Sequence, residues 1–318
     1  MSENQKCLGC YLNLKSSELN GNYHKGCSKK LFGTEQPPIV DFGIDQLEEM
    51  AKLAISNHIG VTGVQQKVSL DLGKYKDDPT HRFMIVGMWG NFILKPATKK
   101  FPDMPVIEDT TMHMAVVAGI NTAKHGLIKL SSGELAYVTK RFDRDKKKKK
   151  VAVEDFCQLS EMLTADKYET TAEKAGKVIW KYSSQPGLDA ISFFEINIFS
   201  FLTGNSDMHL KNFSLIRNKL NEITLSPAYD LLSTKLLFAE DKEDMALSIN
   251  GKKIKLKKID FTVLGTNLKI NEKSIENSFT RILKVIPEMK EVIRNSFMRP
   301  ELKKTYLELM DSRAKLLV

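Results

Sequence analysis

The chain reads as an α+β protein of two lobes, and three observations predict it. From about Gly60 to Phe142 the sequence runs in short β-type stretches, VSLDL, RFMIVG, NFILK and LAYVTKRF, separated by Gly, Pro and Asp clusters. Beyond Val153 the pattern turns helical, in EDFCQLSEML, TAEKAGKVIWKYS, LDAISFFEINIFSFLTG and a final stretch from about Lys273 to Val318. The length of 318 residues suits two domains or two lobes at roughly 100–200 residues each. The boundaries expected are a small Cys/His segment over 1–36, a β-rich lobe over 37–145 and a helical lobe over 146–318. A β-rich front followed by an α-rich back is the α+β arrangement.

Taken in order, the first segment holds three of the four cysteines. CLGCYLNLKSSELNGNYHKGC gives Cys7-x2-Cys10 and then His24-x2-Cys27. Two ligand pairs at this spacing are what a tetrahedral zinc site requires, one on a tight knuckle and one at the start of the helix implied by KKLFG. A segment this short buries little apolar surface, and a metal would supply the missing stabilisation. The other reading is a small lobe with buried cysteines and a surface histidine. Pro37 and Pro38 then mark a boundary. DQLEEMAKLAI, Asp45 to Ile55, puts Leu47, Met50, Ala51 and Ala54 on one helical face. A second helix, EDTTMHMAVVAGI, interrupts the strands. Cys157, inside EDFCQLSEML, fits a small core residue. No repeat of fixed period is present, against solenoids and propellers.

Composition excludes several classes. Apolar residues are 42% and charged residues 27%, as in ordinary globular proteins. The longest apolar stretch, Ile191 to Gly204, is broken by Glu195 and Asn197 and falls short of the ~18 apolar residues of a membrane span. MSENQKCLGC lacks the features of a signal peptide, so the expectation is a cytoplasmic protein with reduced thiols. The net charge of +9 favours acidic partners. Lys146 to Lys150 reads as a solvated loop, and GKKIKLKKID, with Ile254, Leu256 and Ile259 between lysines, as an exposed-face strand. Neither has interleaved aromatics, so no direct nucleic-acid groove is expected.

Four constellations could carry chemistry. In GVTGVQQKVSL, Gly60 and Gly63 permit close backbone approach to phosphate oxygens, with Lys67 adding charge, although an ordinary turn has the same composition. In FILKP, Lys95 ends an apolar strand, where a lysine either pairs with nucleotide phosphates and a helix carboxylate or snorkels to the surface. Glu108 or Asp109 would supply that carboxylate. In TGNSDMHLKNFSLI, a hydrophobic helix ends at Gly204 and a polar loop with Asp207, His209, Lys211 and Asn212 precedes an apolar strand. Asp207 and Asn212 stand at the D-x-x-x-x-N spacing of a protein-kinase catalytic loop, in which the Asp takes the hydroxyl proton and the Asn holds Mg²⁺. An ordinary polar turn is the alternative. In LSPAYDLLST, Asp230 follows the short strand ITLS, where a second metal carboxylate belongs; with Asn212 it meets the needs of Mg²⁺.

In this order, GVTGVQQKVSL, FILKP, VTKRFDR, EDFCQLSEML, GNSDMHLKNFSLI and SPAYDLLST resemble the HipA family of bacterial serine/threonine kinases, well over about residues 55 to 240 and loosely in the helical C-terminus. The resemblance implies a protein-kinase-like fold and an ATP- and Mg²⁺-dependent serine/threonine protein kinase. It also implies the toxin of a toxin–antitoxin system, neutralised by a helix-turn-helix antitoxin and phosphorylating a translation component such as an aminoacyl-tRNA synthetase. Carried over, Asp207 is the catalytic base, Asn212 and Asp230 are the Mg²⁺ ligands, and Lys95 holds the α/β-phosphates. Thr62, Gly63, Val64, Gln65, Gln66 and Lys67 form the phosphate loop. Lys140, Arg141 and Phe142 fall at the hinge that meets adenine, His209 and Lys211 approach the phosphates, and Tyr229 lines the nucleotide pocket. Arg141–Asp143 also reads as a surface ion pair.

Two departures from the family pattern stand out. The serine that many members autophosphorylate is Gly60 here, so inhibitory autophosphorylation is expected at Thr62; an active preparation found unmodified in this loop by phosphopeptide mass spectrometry would remove that expectation. The usual N-terminal β-subdomain is replaced by the Cys/His segment, as in three-gene systems where a separate small protein supplies the missing part. Two other functions fit the same residues: a small-molecule or lipid kinase on this fold, and a non-catalytic basic binding module.

Overall fold

The computed structural model describes residues 5–47, 49, 67–75, 78–86, 89–145 and 147–318. The chain divides into two compact units. The first comprises residues 1–109, 123–141 and 295–297, the second residues 110–122, 142–294 and 298–318. The boundaries expected at 36/37 and 145/146 do not coincide with this division. The Cys/His segment belongs to the first unit because its apolar side chains enter that unit's core, and the chain passes into the second unit between Arg141 and Phe142.

The first unit is built on a five-stranded antiparallel sheet of β1 (Val68–Tyr75), β2 (Asp78–Ile85), β3 (Phe92–Lys95), β4 (His125–Lys129) and β5 (Leu135–Lys140), in the order β2-β1-β3-β5-β4. Alternation groups Leu70, Phe83, Phe92, Leu94, Ile128 and Val138 on one buried face. Helix α1 (Lys25–Phe32) adds Phe32, whose ring meets Phe83 edge-on at 5.7 Å and Phe92 at 6.0 Å. The N-terminal segment covers the free edge of the sheet. Leu127 N–H donates to the Leu8 carbonyl at 3.1 Å, and the Tyr23 hydroxyl donates to the Leu127 carbonyl at 2.7 Å. Gly126 is required at this contact, since a Cβ there would sit 2.6 Å from the Tyr23 oxygen. Helix α2 (Met104–Val117) begins in this unit with Glu108 and Asp109, both fully buried.

The second unit is mainly helical. Its elements are α3 (Phe156–Leu159), α4 (Ala172–Tyr182), α5 (Pro186–Thr203), α6 (Lys258–Asn267), α7 (Glu272–Lys284), α8 (Ile286–Asn295) and α9 (Pro300–Ala314). A small antiparallel sheet, β6 (Val153–Asp155), β7 (Ser214–Arg217) and β8 (Ile223–Leu225), completes it. Helix α5 is apolar nearly all round, and its Phe193, Phe194, Ile198, Phe199, Phe201 and Leu202 are fully buried, which marks it as the core helix. The two polar residues that interrupt it are satisfied inside the core. Glu195 accepts from Ser278 at 2.9 Å and pairs with Arg281, and Asn197 donates to the Phe193 carbonyl at 2.8 Å. No helix among the described residues is long and apolar enough to cross a membrane.

Two expected elements differ, and a third is described only in part. GKKIKLKKID is not a strand: Lys255 adopts φ 54°, Leu256 is buried, and Asp260 accepts from the Lys257 N–H to start α6. In EDFCQLSEML only Phe156–Leu159 is helical, because Glu161 at φ 56° turns the chain away; Cys157 is nevertheless buried, as expected. Of the helix expected over 45–55, residues 45–47 and 49 are helical and the rest lie outside the described residues.

Candidate active site

In the first unit the site begins with β3. In β3 Lys95 lies on the face opposite Phe92 and Leu94, paired with Tyr137, and its ammonium meets the Glu108 carboxylate of α2 at 2.5 Å; the two residues are 4% and 0% exposed. Of the two carboxylates considered for Lys95, Glu108 is therefore its partner. Asp109 has other bonds, accepting from the Tyr11 hydroxyl at 2.6 Å and meeting His125 Nδ1 at 2.8 Å. A buried ion pair costs desolvation on both sides. Lys140, at the end of β5, lies 5.7 Å from the Phe92 ring centre, and burial, with the nearby Lys124 charge, lowers its pKa. Arg141 N–H donates to the Asn91 carbonyl. Thr62, Gly63, Val64, Gln65 and Gln66 lie outside the described residues, and Lys67 is exposed just before β1.

In the second unit the catalytic-type loop follows the core helix. Gly204 ends α5 at φ 70°, a conformation glycine adopts without penalty, and a Cβ there would sit 2.7 Å from Leu309. The loop is pinned on both sides of Asp207. Ser206 N–H donates to Thr234 Oγ1 at 2.8 Å, and its hydroxyl reaches Asp241 at 2.5 Å. Asp207 N–H donates to Asn205 Oδ1 at 3.2 Å, and Asn212 Nδ2 donates to the Asp207 carbonyl at 3.0 Å. Residues 201–206 and 208–210 are buried while Asp207 is exposed. The fold thus presents one carboxylate to solvent from an otherwise packed loop.

Asp207 has a partner that sequence reasoning missed. The Tyr168 hydroxyl donates to its Oδ1 at 2.6 Å, and burial, together with this bond, raises the tyrosine pKa. Tyr168 lies 39 residues upstream in an irregular segment, so no local pattern could have found it. Its ring meets His209 edge-on at 5.0 Å. His209 is buried, and its Nδ1 has no hydrogen-bond partner among the described residues. The charges of Asp207 and Asp230 both act to raise its pKa. Lys211, expected near phosphates, pairs with Asp155 at 2.8 Å, and Asp155 also caps α3 through the Gln158 N–H. Tyr229 packs its ring 5.4 Å from Phe142 and donates to the Lys211 carbonyl at 2.8 Å. Asp230 sits at φ 59°, a backbone position that costs energy for a residue with a Cβ. Asp143 pairs with Arg144 at 2.8 Å.

Burial lowers the His209 pKa below its ordinary value, against the opposing pull of Asp207. The unfolded chain then takes up its proton near pH ~6.5, before the folded one does. The histidine's contribution to stability is complete above that pH and is lost as pH falls through the window beneath it. Urea midpoints between about pH 7.5 and 5 should fall more steeply for the wild type than for His209→Asn. Equal slopes would contradict this reading.

The four N-terminal candidates also converge. The ligand atoms of Cys7, Cys10, His24 and Cys27 all lie within 4.8 Å of one another. Hydrogen bonds from Cys10 and Cys27 lower the pKa of Cys7 strongly, and the same sharing raises that of Cys27.

Comparison with known proteins decides the family. The HipA-like C-terminal domain family matches residues 59–291, most of the chain. The chain belongs to the HipA family of kinases. A Haemophilus influenzae protein named a putative kinase is 29% identical over 73% of this chain and 71% of its own length. Sinorhizobium fredii putative kinase Y4dM is 31% identical over 68% of this chain and 55% of its own length. Among solved structures, Shewanella oneidensis HipA, in a complex with HipB and its operator DNA, superposes with a TM-score of 0.66 at 20% identity. That match covers 80% of this chain and 64% of the Shewanella one. The Helicobacter pylori proinflammatory kinase CtkA superposes with a TM-score of 0.53 at 18% identity, over 71% of this chain and 86% of CtkA. The mixed fold, an antiparallel sheet unit followed by a helical unit, is thus the kinase-like fold of this HipA-family chain.

Proposed function

We propose that this chain is an ATP- and Mg²⁺-dependent kinase that phosphorylates a serine or threonine hydroxyl of a protein. The observation that carries the reading is the exposed Asp207 carboxylate, held by a buried loop to which Asn212 is tied. The donor set fits the cosubstrate: an Asn amide oxygen and an Asp carboxylate are hard ligands of the kind Mg²⁺ takes, and Lys95 is a buried cation for phosphate oxygens. Asn212 and Asp230 would hold the metal, Lys95 the phosphates, and Phe142 and Tyr229 the base. Mg²⁺, when bound, offsets charge on the phosphates.

The chain's own residues do the remainder. Tyr168 fixes Asp207 through Oδ1, so the proton of the acceptor hydroxyl is taken at Oδ2. Neutral His209 beside Asp207 leaves the carboxylate as the proton acceptor without a competing charge. The strained backbone of Asp230 holds its carboxylate in place at an energetic cost that function repays.

The biological setting proposed is a bacterial toxin–antitoxin system. Its target would be a translation component such as an aminoacyl-tRNA synthetase. A helix-turn-helix antitoxin and a separate small protein are the proposed partners. Thr62 is the proposed autophosphorylation site. The complex of Shewanella HipA with HipB supports the antitoxin, and the charge of +9 suits an acidic partner surface. Incubating a cell lysate with the chain and γ-labelled ATP tests the acceptor class. Label entering protein is expected; label confined to small molecules or lipid would replace the protein-kinase reading.

A further inference from the structure

Cys7, Cys10, His24 and Cys27 form a second chemical centre in the first unit, made of residues with no part in phosphate transfer. Two backbone features deliver them. Cys7 and Cys10 flank a tight turn that Tyr11 closes at φ 66°, and His24 is the N-cap of α1, with Cys27 in its first turn. Tetrahedral zinc, with bonds of ~2.3 Å to sulfur and ~2.0 Å to nitrogen, sets ligand-to-ligand separations of roughly 3.5–3.8 Å. Cys10 Sγ lies 3.3 Å and Cys27 Sγ 3.9 Å from His24 Nδ1, and all four ligand atoms fall within 4.8 Å.

Two further features belong to a metal centre rather than to a cluster of packed thiols. His24 Nε2 lies 3.0 Å from the Asn13 carbonyl, so the ring proton sits on Nε2 and the Nδ1 lone pair faces the three sulfurs. The backbone N–H groups of Gly9 and His24 both donate to Cys7 Sγ, at 3.4 and 3.3 Å, as they would to a metal-bound thiolate. All three cysteines are free of disulfides. Three thiolates and one imidazole fill a tetrahedron and leave no open position, which makes the site structural rather than catalytic.

We propose that Cys7, Cys10, His24 and Cys27 bind one Zn²⁺, and that this ion fixes the N-terminal segment to the β4 edge of the sheet. The segment reaches β4 through Leu8 and Tyr23, and the helix carrying Glu108 through the bond of Tyr11 to Asp109. The metal therefore holds in place the cover of the unit that presents Lys95.

The test uses the full chain, purified under reducing conditions without added metal and passed through a chelating resin. Elemental analysis should find about one zinc per chain, reduced at least several-fold in Cys10→Ser and Cys27→Ser. Because a variant could fail to fold, the wild type is also stripped of metal and titrated with Co²⁺. Thiolate-to-cobalt charge-transfer bands and intense visible absorption of a tetrahedral ion should appear and be displaced by Zn²⁺. Hydrogen exchange in residues 5–33 and 125–129 should quicken on stripping and recover on zinc addition. A folded wild type that contains no zinc and takes up no Co²⁺ would overturn the proposal, as would a disulfide between any two of these sulfurs in the fresh protein. None of these readouts involves nucleotide, so they stand or fall separately from the kinase reading.

Discussion

Asp207→Ala loses transfer of labelled phosphate to protein by about three orders of magnitude in kcat, while keeping its fold and its affinity for ATP. The fold should survive because the loop is held by Ser206, Asn205 and Asn212 through bonds that do not use the Asp207 side chain. Its carboxylate is exposed, so removing it opens no cavity in the core. Nucleotide affinity should persist because Lys95, Asn212 and Asp230 are untouched. Asp230→Asn separates the roles: it should weaken Mg²⁺-dependent ATP binding as well as turnover. A non-catalytic binding module predicts that neither change alters the phenotype of cells making the protein. If Asp207→Ala retains wild-type phosphotransfer, Asp207 is not the base.

Lys95→Met acts twice, on stability and on nucleotide binding. The ammonium it removes faces the Glu108 carboxylate, which is 0% exposed. Breaking one side of a buried pair leaves a charge in a poor solvent and costs about 3–5 kcal/mol. Lys95→Met should therefore lower the urea midpoint sharply, and Lys95→Met/Glu108→Leu should recover much of the loss. The double-mutant cycle should give a coupling above about 1.5 kcal/mol, since the two groups touch. ATP affinity, by contrast, should fall in both the single and the double variant, because the cation for the phosphates is absent from each. Stability unchanged within about 0.5 kcal/mol in the single variant would show that the pair is not formed in solution.

The elements that were legible in the sequence were those whose local pattern and tertiary role agree. NFILK and LAYVTKRF became β3 and β5 because their short apolar runs suit strands buried on both faces, with Leu94 and Val138 on one and Lys95 and Tyr137 on the other. LDAISFFEINIFSFLTG became α5, and its Glu195 and Asn197 found partners that the sequence could not show. HGLIK went unrecognised as β4: it is five residues long, and Gly126 reads as a breaker when its reason is the Tyr23 hydroxyl against it. The lysine-rich stretch before α6 imitates a strand, since Ile254 and Leu256 alternate with lysines. The turn at Lys255 and the Asp260 cap override that period.

The site divides along the same line. Asp207, Asn212 and Asp230 were legible because polar residues at fixed spacing between apolar elements are costly unless used. Lys95 was legible as a cation at the end of an apolar strand, although Glu108 and Asp109 were equivalent candidates until the register of α2 distinguished them. Tyr168 and the Asp155–Lys211 pair depend on contacts across 39 and 56 residues, and no local spacing encodes them. The cysteine pairs showed their ligand spacing, but not that the segment would close the edge of a sheet.

The most direct measurement is a crystal structure of the chain with Mg²⁺ and a non-hydrolysable ATP analogue. The expected result is a metal ion coordinated by Asn212 and Asp230, phosphate oxygens on the Lys95 ammonium, and the free oxygen of Asp207 turned toward the γ-position. A nucleotide bound elsewhere, or a metal that neither Asn212 nor Asp230 touches, would contradict it.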